Sequence, residues 1–551
     1  MRSLLKVVVA ASALLSAAVA PAGADELLPE RVAKAAQERV DAGMLQTLVL
    51  GVVDGDKSEV RAFGKLDDGK VPDGDTVYEI GSITKTFTAT LLAREVLAGH
   101  VTLDTPVARL LDGFKVPSRN GKEITLGSIA TQHSGLPRLP NNMQSADQAN
   151  PYADYDAAKL KAFLADYELP RDPDTTYEYS NLGFGLLGYA LAQSAHTDYA
   201  TLVGEGIFRP LAMTMTGIAL TDAMRAHLAP GHDDSGTQVK NWDLDALAGA
   251  GAIRSTATDM LRYLKANMGL DPSPLLDAMK FAQEPRRDMN RNMHIGLAWM
   301  TTRRGIIWHN GGTGGYRSFL GFDAERRRGV VVLCNTAFDV DDLGFATLNP
   351  NAPLRPAFKA VALPDASLDD YVGAYRLTDR MLIKVFRMKD KEGLYARATG
   401  QGSFPIFASA PNEFFARVGG ISATFTRDSA GAVTGLVLHQ NGDRLAPKLG
   451  AAEVPAEPLE VTLDAATLGD YTGKYKFSFG QLDVELKGDH LEAQLTGQQA
   501  FPVYASAADQ FFYRVVDAQL SFERDGNKKV TAVVLHQNGR DMRATRLEGP
   551  Q

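Results

Sequence analysis

At 551 residues the chain exceeds one ordinary domain, and two to four are expected. Its 45% hydrophobic and 23% charged content is that of a water-soluble globular protein. A formal net charge of −8, with no Lys/Arg cluster, argues against nucleic acid or an anionic membrane surface as the main partner.

Residues 1–24 read as a secretory signal. Arg2 and Lys6 make a basic start, Val7 to Val19 an apolar core, and Ala22-Gly23-Ala24 a small-residue cleavage site, with Ala18-Val19-Ala20 as a second. The apolar run is short for a membrane span, and no cysteine follows it to carry a lipid. A secreted, most simply periplasmic, protein is expected, with no membrane anchor after cleavage.

Residues 30–41 carry a helical pattern, and Thr47 to Val53 with Val60 to Phe63 form a hairpin about Asp54-Gly55. Strands this early, followed by more much later, predict a sheet assembled from both ends of a domain. Then comes Glu79-Ile80-Gly81-Ser82-Ile83-Thr84-Lys85-Thr86-Phe87. Phe87, Leu91 and Val96 continue as an apolar helical stripe, so Ser82 sits at a helix start, where unpaired N–H groups favour negative charge. Lys85, one turn on, lies within reach of its oxygen and can take its proton if burial or a cation lowers the amine's pKa. The spacing alone is not specific, since Ser3-Leu4-Leu5-Lys6 also satisfies it.

The stretch from about 85 to 290 is helix-rich, with helical cores at Leu160 to Leu164, Leu182 to Leu191 and Thr258 to Leu264. Tyr177-Glu178-Tyr179-Ser180-Asn181 follows a Pro-rich turn and leads into the second of these. Tyr179 and Asn181, two apart at a loop–helix junction, can face one cleft. Tyr179 serves as a base there if Lys85 depresses its pKa of about 10, and Asn181 orients the lysine and a substrate amide. Strands are expected at Ile295 to Met300, Gly305 to His309, Ser318 to Phe322 and Gly329 to Cys334. The second of these runs into Trp308-His309-Asn310-Gly311-Gly312-Thr313-Gly314-Gly315. Glycines there permit close substrate approach, and an open edge can pair with an extended peptide. His309 is placed to hydrogen-bond, or to attract a carboxylate below neutral pH. Cys334 is the single cysteine, so no intramolecular disulfide forms, and its strand context makes it a small buried hydrophobe.

Beyond proline-rich linkers at Asn349 to Pro356 and Val454 to Pro458 lie two copies of one segment. Tyr371-x-Gly373-x-Tyr375 matches Tyr471-x-Gly473-x-Tyr475. Thr399-Gly400-Gln401 matches Thr496-Gly497-Gln498, and Phe414-Phe415 matches Phe511-Phe512. Leu438-His439-Gln440-Asn441-Gly442 matches Leu535-His536-Gln537-Asn538-Gly539. Short alternating strands with Gly and Asn-Gly turns predict a duplicated antiparallel barrel. His439 and His536 precede equivalent hairpins with no second ligand at metal-binding spacing, so a turn role is expected.

The order Ser82-x-x-Lys85, Tyr179-x-Asn181, His309-x-Gly311 resembles the penicillin-recognising serine hydrolases: class C β-lactamases, DD-carboxypeptidases, D-aminopeptidases and related esterases. Glu79 to Thr88, Thr131-Gln132-His133-Ser134-Gly135-Leu136-Pro137, Tyr179 to Gly188 and Gly251 to Asp259 resemble the same family, over about residues 30–345. Ile80 to Thr88 and Ser134-Gly135-Leu136-Pro137-Arg138-Leu139-Pro140 look most like its peptidoglycan DD-carboxypeptidase/endopeptidase branch. The C-terminal copies look like the small barrels appended to D-aminopeptidases.

The resemblance implies an α/β catalytic domain at 25–348, an antiparallel sheet flanked by helices beside an all-helical lobe. Two all-β barrel-like domains follow at 365–450 and 460–551. It also implies that Ser82 is the nucleophile, that Lys85 and Tyr179 share the proton work, and that Asn181 holds the substrate amide. The N–H groups of Ser82 and Gly312 would form the oxyanion hole, with His309 and Gly311 lining the substrate. His309 stands where other branches carry lysine, which implies weak carboxylate recognition near neutral pH and weak β-lactam hydrolysis. No metal or organic cofactor is implied. The expected substrate is a small D-amino-acid peptide, a peptidoglycan fragment or a β-lactam. Esterase, weak class C-like β-lactamase and non-turnover penicillin-binding protein are the alternatives. Oligomeric state stays open, and the barrels either brace the catalytic domain or lend a loop to its cleft.

Overall fold

The structure, a computed structural model, describes residues 26–547 apart from 144, 146, 148, 380, 389–391, 400, 418–419, 441, 454–459, 478–479, 496–499, 515 and 538–539. The signal at 1–24, the second linker, and the repeat positions Gly400, Asn441, Thr496 to Gln498 and Asn538-Gly539 therefore lie outside the described residues.

The first sheet has eight strands, antiparallel throughout. Their order is Lys57–Gly64, Thr47–Asp54, Arg328–Cys334, Arg317–Asp323, Ile306–Gly312, Met300–Thr302, Met293–Ile295 and Arg287–Asn290. The early hairpin pairs with the latest strand, Leu48 opposite Cys334, so the sheet is closed from both ends of its domain as expected. Thr47–Asp54 is buried on both faces. Its alternation divides it between two cores: Val49 and Val53 face the helical lobe, while Leu48, Leu50 and Val52 face the helices Glu30–Asp41 and Asp341–Leu348. Cys334 is a buried free thiol in the second of these cores.

The helical expectations correspond to Ala157–Asp166, Asn181–Ser194 and Ala257–Met268. One strand does not form as read. Ile295 to Met300 is two short strands, Met293–Ile295 and Met300–Thr302, joined by a tight turn in which Gly296 N–H bonds Trp299 O and Ala298 adopts φ +64°. The apolar residues Leu297 and Trp299 drew the run as one strand, but they are buried from within the turn, against the lobe.

Both C-terminal copies are barrel-like: eight strands from Gly373–Thr378 to Asp443–Pro447, and a closed eight-stranded barrel from Gly473–Phe477 to Arg540–Arg546. The Tyr-x-Gly-x-Tyr repeat has a structural reason, because the second tyrosine's hydroxyl donates to the first one's carbonyl, Tyr375 to Tyr371 at 2.6 Å and Tyr475 to Tyr471 at 2.7 Å. His439 and His536 pin their hairpins with both ring nitrogens, to Asp443 and Thr424 in one copy and to Asp541 and Ser521 in the other. No helix among the described residues is long and apolar enough to cross a membrane.

Candidate functional site

A 3-10 turn, Gly81–Ile83, leads into the helix Thr84–Leu97, whose residues from Thr84 to Ala93 are buried on every side. This helix runs through the middle of the lobe, so its start is held rigidly. Gly81 adopts φ +50°, and a Cβ there would lie 2.6 Å from Gly312 N. The end of strand Ile306–Gly312 thus lies directly against the turn that carries Ser82. A Cβ on Gly311 would meet Ile80 O at 2.0 Å and Ser318 Oγ at 2.4 Å, so both contact points require glycine. Ser318 Oγ donates to Ile80 O at 2.8 Å and ties strand to turn. Beyond Trp308 the strand outruns its short neighbour, whose described pairs are Met300 with Trp308 and Thr301 with Ile307.

Lys85 is fully buried, its Nζ 3.0 Å from Ser82 Oγ, 2.8 Å from Asn181 Oδ1 and 2.7 Å from Ala250 O. Burial, helped by the positive charge of Arg138, holds this amine well below its usual pKa. A neutral amine fits the three partners: two N–H groups reach the two carbonyl oxygens, and the lone pair accepts the Ser82 hydroxyl proton.

Tyr179 and Asn181 are fixed by the segment before them. Gln132 Oε1 accepts Ser180 N–H, Ser180 Oγ donates to Pro137 O and caps the helix through Gly183 N–H, and Asn181 N–H bonds Arg138 O. Tyr179 is half-buried, hydrogen-bonds Ser82 through its side chain, and has Lys85 Nζ 4.9 Å from its ring centroid. The expectation that Lys85 depresses the tyrosine's pKa is overturned. Burial raises it instead, outweighing the Ser82 hydrogen bond and the Arg138 charge, which both lower it. His309 is corrected in the same sense. Burial, with Lys85 second, drives its pKa down to about 3, so it stays neutral where a charged form was expected below neutral pH. Its Nδ1 lies 2.6 Å from Asn310 O, which assigns the proton there and leaves Nε2 an acceptor. The rings of His309 and Tyr179 are 6.5 Å apart.

Ser82, Lys85, Tyr179, Asn181, His309, Gly311 and Gly312 therefore converge. Two participants carried no assigned role in the sequence. Ala250 contributes a backbone carbonyl, which leaves no side-chain signal. Arg138 stacks its guanidinium 5.1 Å from the Tyr179 ring centroid and is exposed at the cleft; its only trace was being the one basic residue in Ser134 to Pro140. Glu79 is buried against Arg254 at 3.4 Å and accepts from Asn241 Nδ2 and Trp242 N–H, which anchors the wall beside Gly314. Among the described residues no cluster of side chains is suited to hold a metal ion.

An antiparallel sheet, a helical lobe and a serine–lysine turn beneath its strand define a β-lactamase-like fold. A class C β-lactamase from Rhodobacter sphaeroides superposes with a TM-score of 0.50 at 25% identity, covering 58% of this chain and 97% of its own. The chain belongs to the β-lactamase family, whose model matches residues 32–348. A D-alanyl-D-alanine-carboxypeptidase/endopeptidase, AmpH of Escherichia coli, is 28% identical over 307 residues, 52% of this chain and 78% of that one. A β-lactamase of Psychrobacter immobilis is 27% identical over 265 residues, 47% and 62% of the two chains. Residues 357–452 and 457–547 each match a model described as a domain of unknown function (DUF3471).

Proposed function

We propose that this protein is an exported serine hydrolase that acts through an acyl-enzyme on short peptides carrying D-amino acids, of the DD-carboxypeptidase/endopeptidase or D-aminopeptidase type. The observation that carries the reading is the buried Lys85 amine, held well below its usual pKa by burial and hydrogen-bonded to Ser82 at 3.0 Å. Ser82 Oγ attacks the substrate carbonyl as its proton passes to Lys85, and the proton reaches the departing amine through the Tyr179 phenol. Water then cleaves the ester by the reverse relay. Asn181 holds the acyl group's amide, and the N–H groups of Ser82 and Gly312 receive the oxyanion, worth about 3 kcal/mol per donor. The overrunning strand edge from His309 to Gly312 suits an extended peptide, and Arg138 is the cation at the cleft for its carboxylate.

A second reading, an esterase or weak β-lactamase, is favoured by the neutral His309, which offers no fixed charge to a substrate carboxylate. Intact mass over time with excess penicillin, beside release of D-alanine from a D-alanyl-D-alanine peptide, separates the two. The expected result is a long-lived adduct and peptide turnover, both absent in Ser82→Ala. Turnover surviving in Ser82→Ala would sink the mechanism. Ester cleavage without adduct or peptide turnover would establish the second reading.

A further inference from the structure

The two C-terminal barrels are copies of one segment, yet their interiors differ. Strand register sets the correspondence. Ala398 lies opposite Ile383 as Leu495 lies opposite Leu482, and Ala423 lies opposite Leu438 as Leu520 lies opposite Leu535. Ala416 follows Phe414-Phe415 as Tyr513 follows Phe511-Phe512. In the second barrel Leu495, Leu520 and Tyr513 pack into the core. In the first, the three alanines leave a cavity of about 200 Å³, walled by Met381, Ile383, Phe404, Ile406, Phe414 and Leu438 among others. The opposite exchanges, Met381 for Gly480 and Ile421 for Ala518, restore only part of the missing volume.

Close-packed interiors do not leave voids of this size without an occupant or a cost in stability. An apolar cavity of about 150 Å³ takes up benzene, so this one suits a single ring or about eight chain carbons. The mouth also differs from its counterpart. Arg444, opposite Leu438, is exposed and is the one charged residue among the described lining residues. The second barrel places Met542 opposite Leu535 at that position and packs it against the core. The first barrel thus carries alanine at three positions where the second carries Leu495, Tyr513 and Leu520, and has a cation at the opening of its cavity.

We propose that the first barrel binds a medium-chain alkyl carboxylate, with the chain in the cavity left by Ala398, Ala416 and Ala423 and the carboxylate on Arg444. This site is separate from Ser82 and independent of the reaction proposed above.

Calorimetric titration of the full mature chain with octanoate, hexanoate and octanol tests it. Octanoate is expected to bind at one site, hexanoate about fifteenfold more weakly at roughly fourfold per methylene, and octanol about tenfold more weakly than octanoate. Ala423→Leu installs the residue the second barrel carries at the same register, and should abolish octanoate binding with ester turnover unchanged and thermal unfolding at the same temperature or higher. Ala398→Leu repeats the test from a neighbouring strand should the first variant unfold. Arg444→Met should weaken octanoate to the level of octanol and leave octanol unaffected. No saturable binding up to about 10 mM, or undiminished octanoate binding in both folded leucine variants, would overturn the cavity assignment. Equal binding of octanol and octanoate by the native chain would overturn the role of Arg444.

Discussion

At the scale of the residue, the site depends on protonation states set by burial. Ser82 needs an acceptor, and a lysine in water is charged at every physiological pH; only desolvation, aided by Arg138, makes the Lys85 amine available. The pH dependence follows in sign. Lys85 acts when neutral, so kcat/KM rises with pH through its lowered pKa, stays level, and falls at alkaline pH as the Tyr179 phenol ionises. Arg138→Leu removes a charge that favours the neutral amine, and is expected to move the acid limb to higher pH by about one unit or less. Lys85→Arg, charged throughout, should cost about 10³-fold in kcat/KM with the fold intact. A pH–rate profile on a chromogenic ester measures all three, and an unmoved acid limb in Arg138→Leu would count against the electrostatic role. Ser82, Lys85, Tyr179, Asn181 and His309 were legible as candidates because three motifs follow one another in a distinctive order, although the Ser-x-x-Lys spacing alone is not specific. Their charges were not, because a pKa depends on neighbours from distant parts of the chain.

At the scale of the element, a strand and a turn are held at a separation that admits no side chain. Gly311 lies over Ile80 O, Gly81 lies under Gly312 N, and Ser318 hydrogen-bonds the same Ile80 carbonyl. Gly311→Ala is expected to force the strand from the nucleophile turn, lowering stability by about 3 kcal/mol and removing most turnover. Gly204→Ala, where a Cβ meets nothing within 4 Å, should leave both unchanged. Thermal unfolding and ester turnover of the two variants check this, and a wild-type-like Gly311→Ala would refute the tight contact. The sequence displayed these glycines as a run open to substrate. One of them, Gly311, is instead needed by the protein's own backbone, as is Gly81 across from it, which only the approach of residues 80–81 to 311–312 reveals.

At the scale of the whole molecule, both barrels touch loops that belong to the site. Gln494 Nε2 donates to Asn141 O at 2.7 Å and Lys476 pairs with Glu168 at 2.8 Å, so the second barrel holds the segment that carries Arg138. Arg417 Nη1 donates to Asp234 O at 3.0 Å, in the turn between Gly231–His232 and Gln238–Val239, and Gly231 packs on Gly315. The barrels therefore contact the loops that wall the cleft, which fits both roles left open by the sequence, bracing and narrowing. The ion pair is exposed and worth under about 1 kcal/mol, so the amide contact matters more. Gln494→Ala should change the ratio of kcat/KM for a long peptide over a short ester about fivefold, as expected for one hydrogen bond of about 1 kcal/mol, with ester turnover preserved. An unchanged ratio would make that contact incidental.

The order of the main strands and helices, the duplicated barrel and the candidate serine–lysine pair were read from sequence alone, through local signals: hydrophobic period, turn residues, and side-chain types at fixed spacing. Tertiary structure decided what depends on through-space distance. By burying them it pushed the Lys85 and His309 pKa values down and that of Tyr179 up, brought Ala250 and Arg138 to the site, and broke Ile295 to Met300 at a turn. It also left one barrel hollow, since a volume difference spread over Ala398, Ala416 and Ala423 appears only when strands far apart in the chain face a common interior.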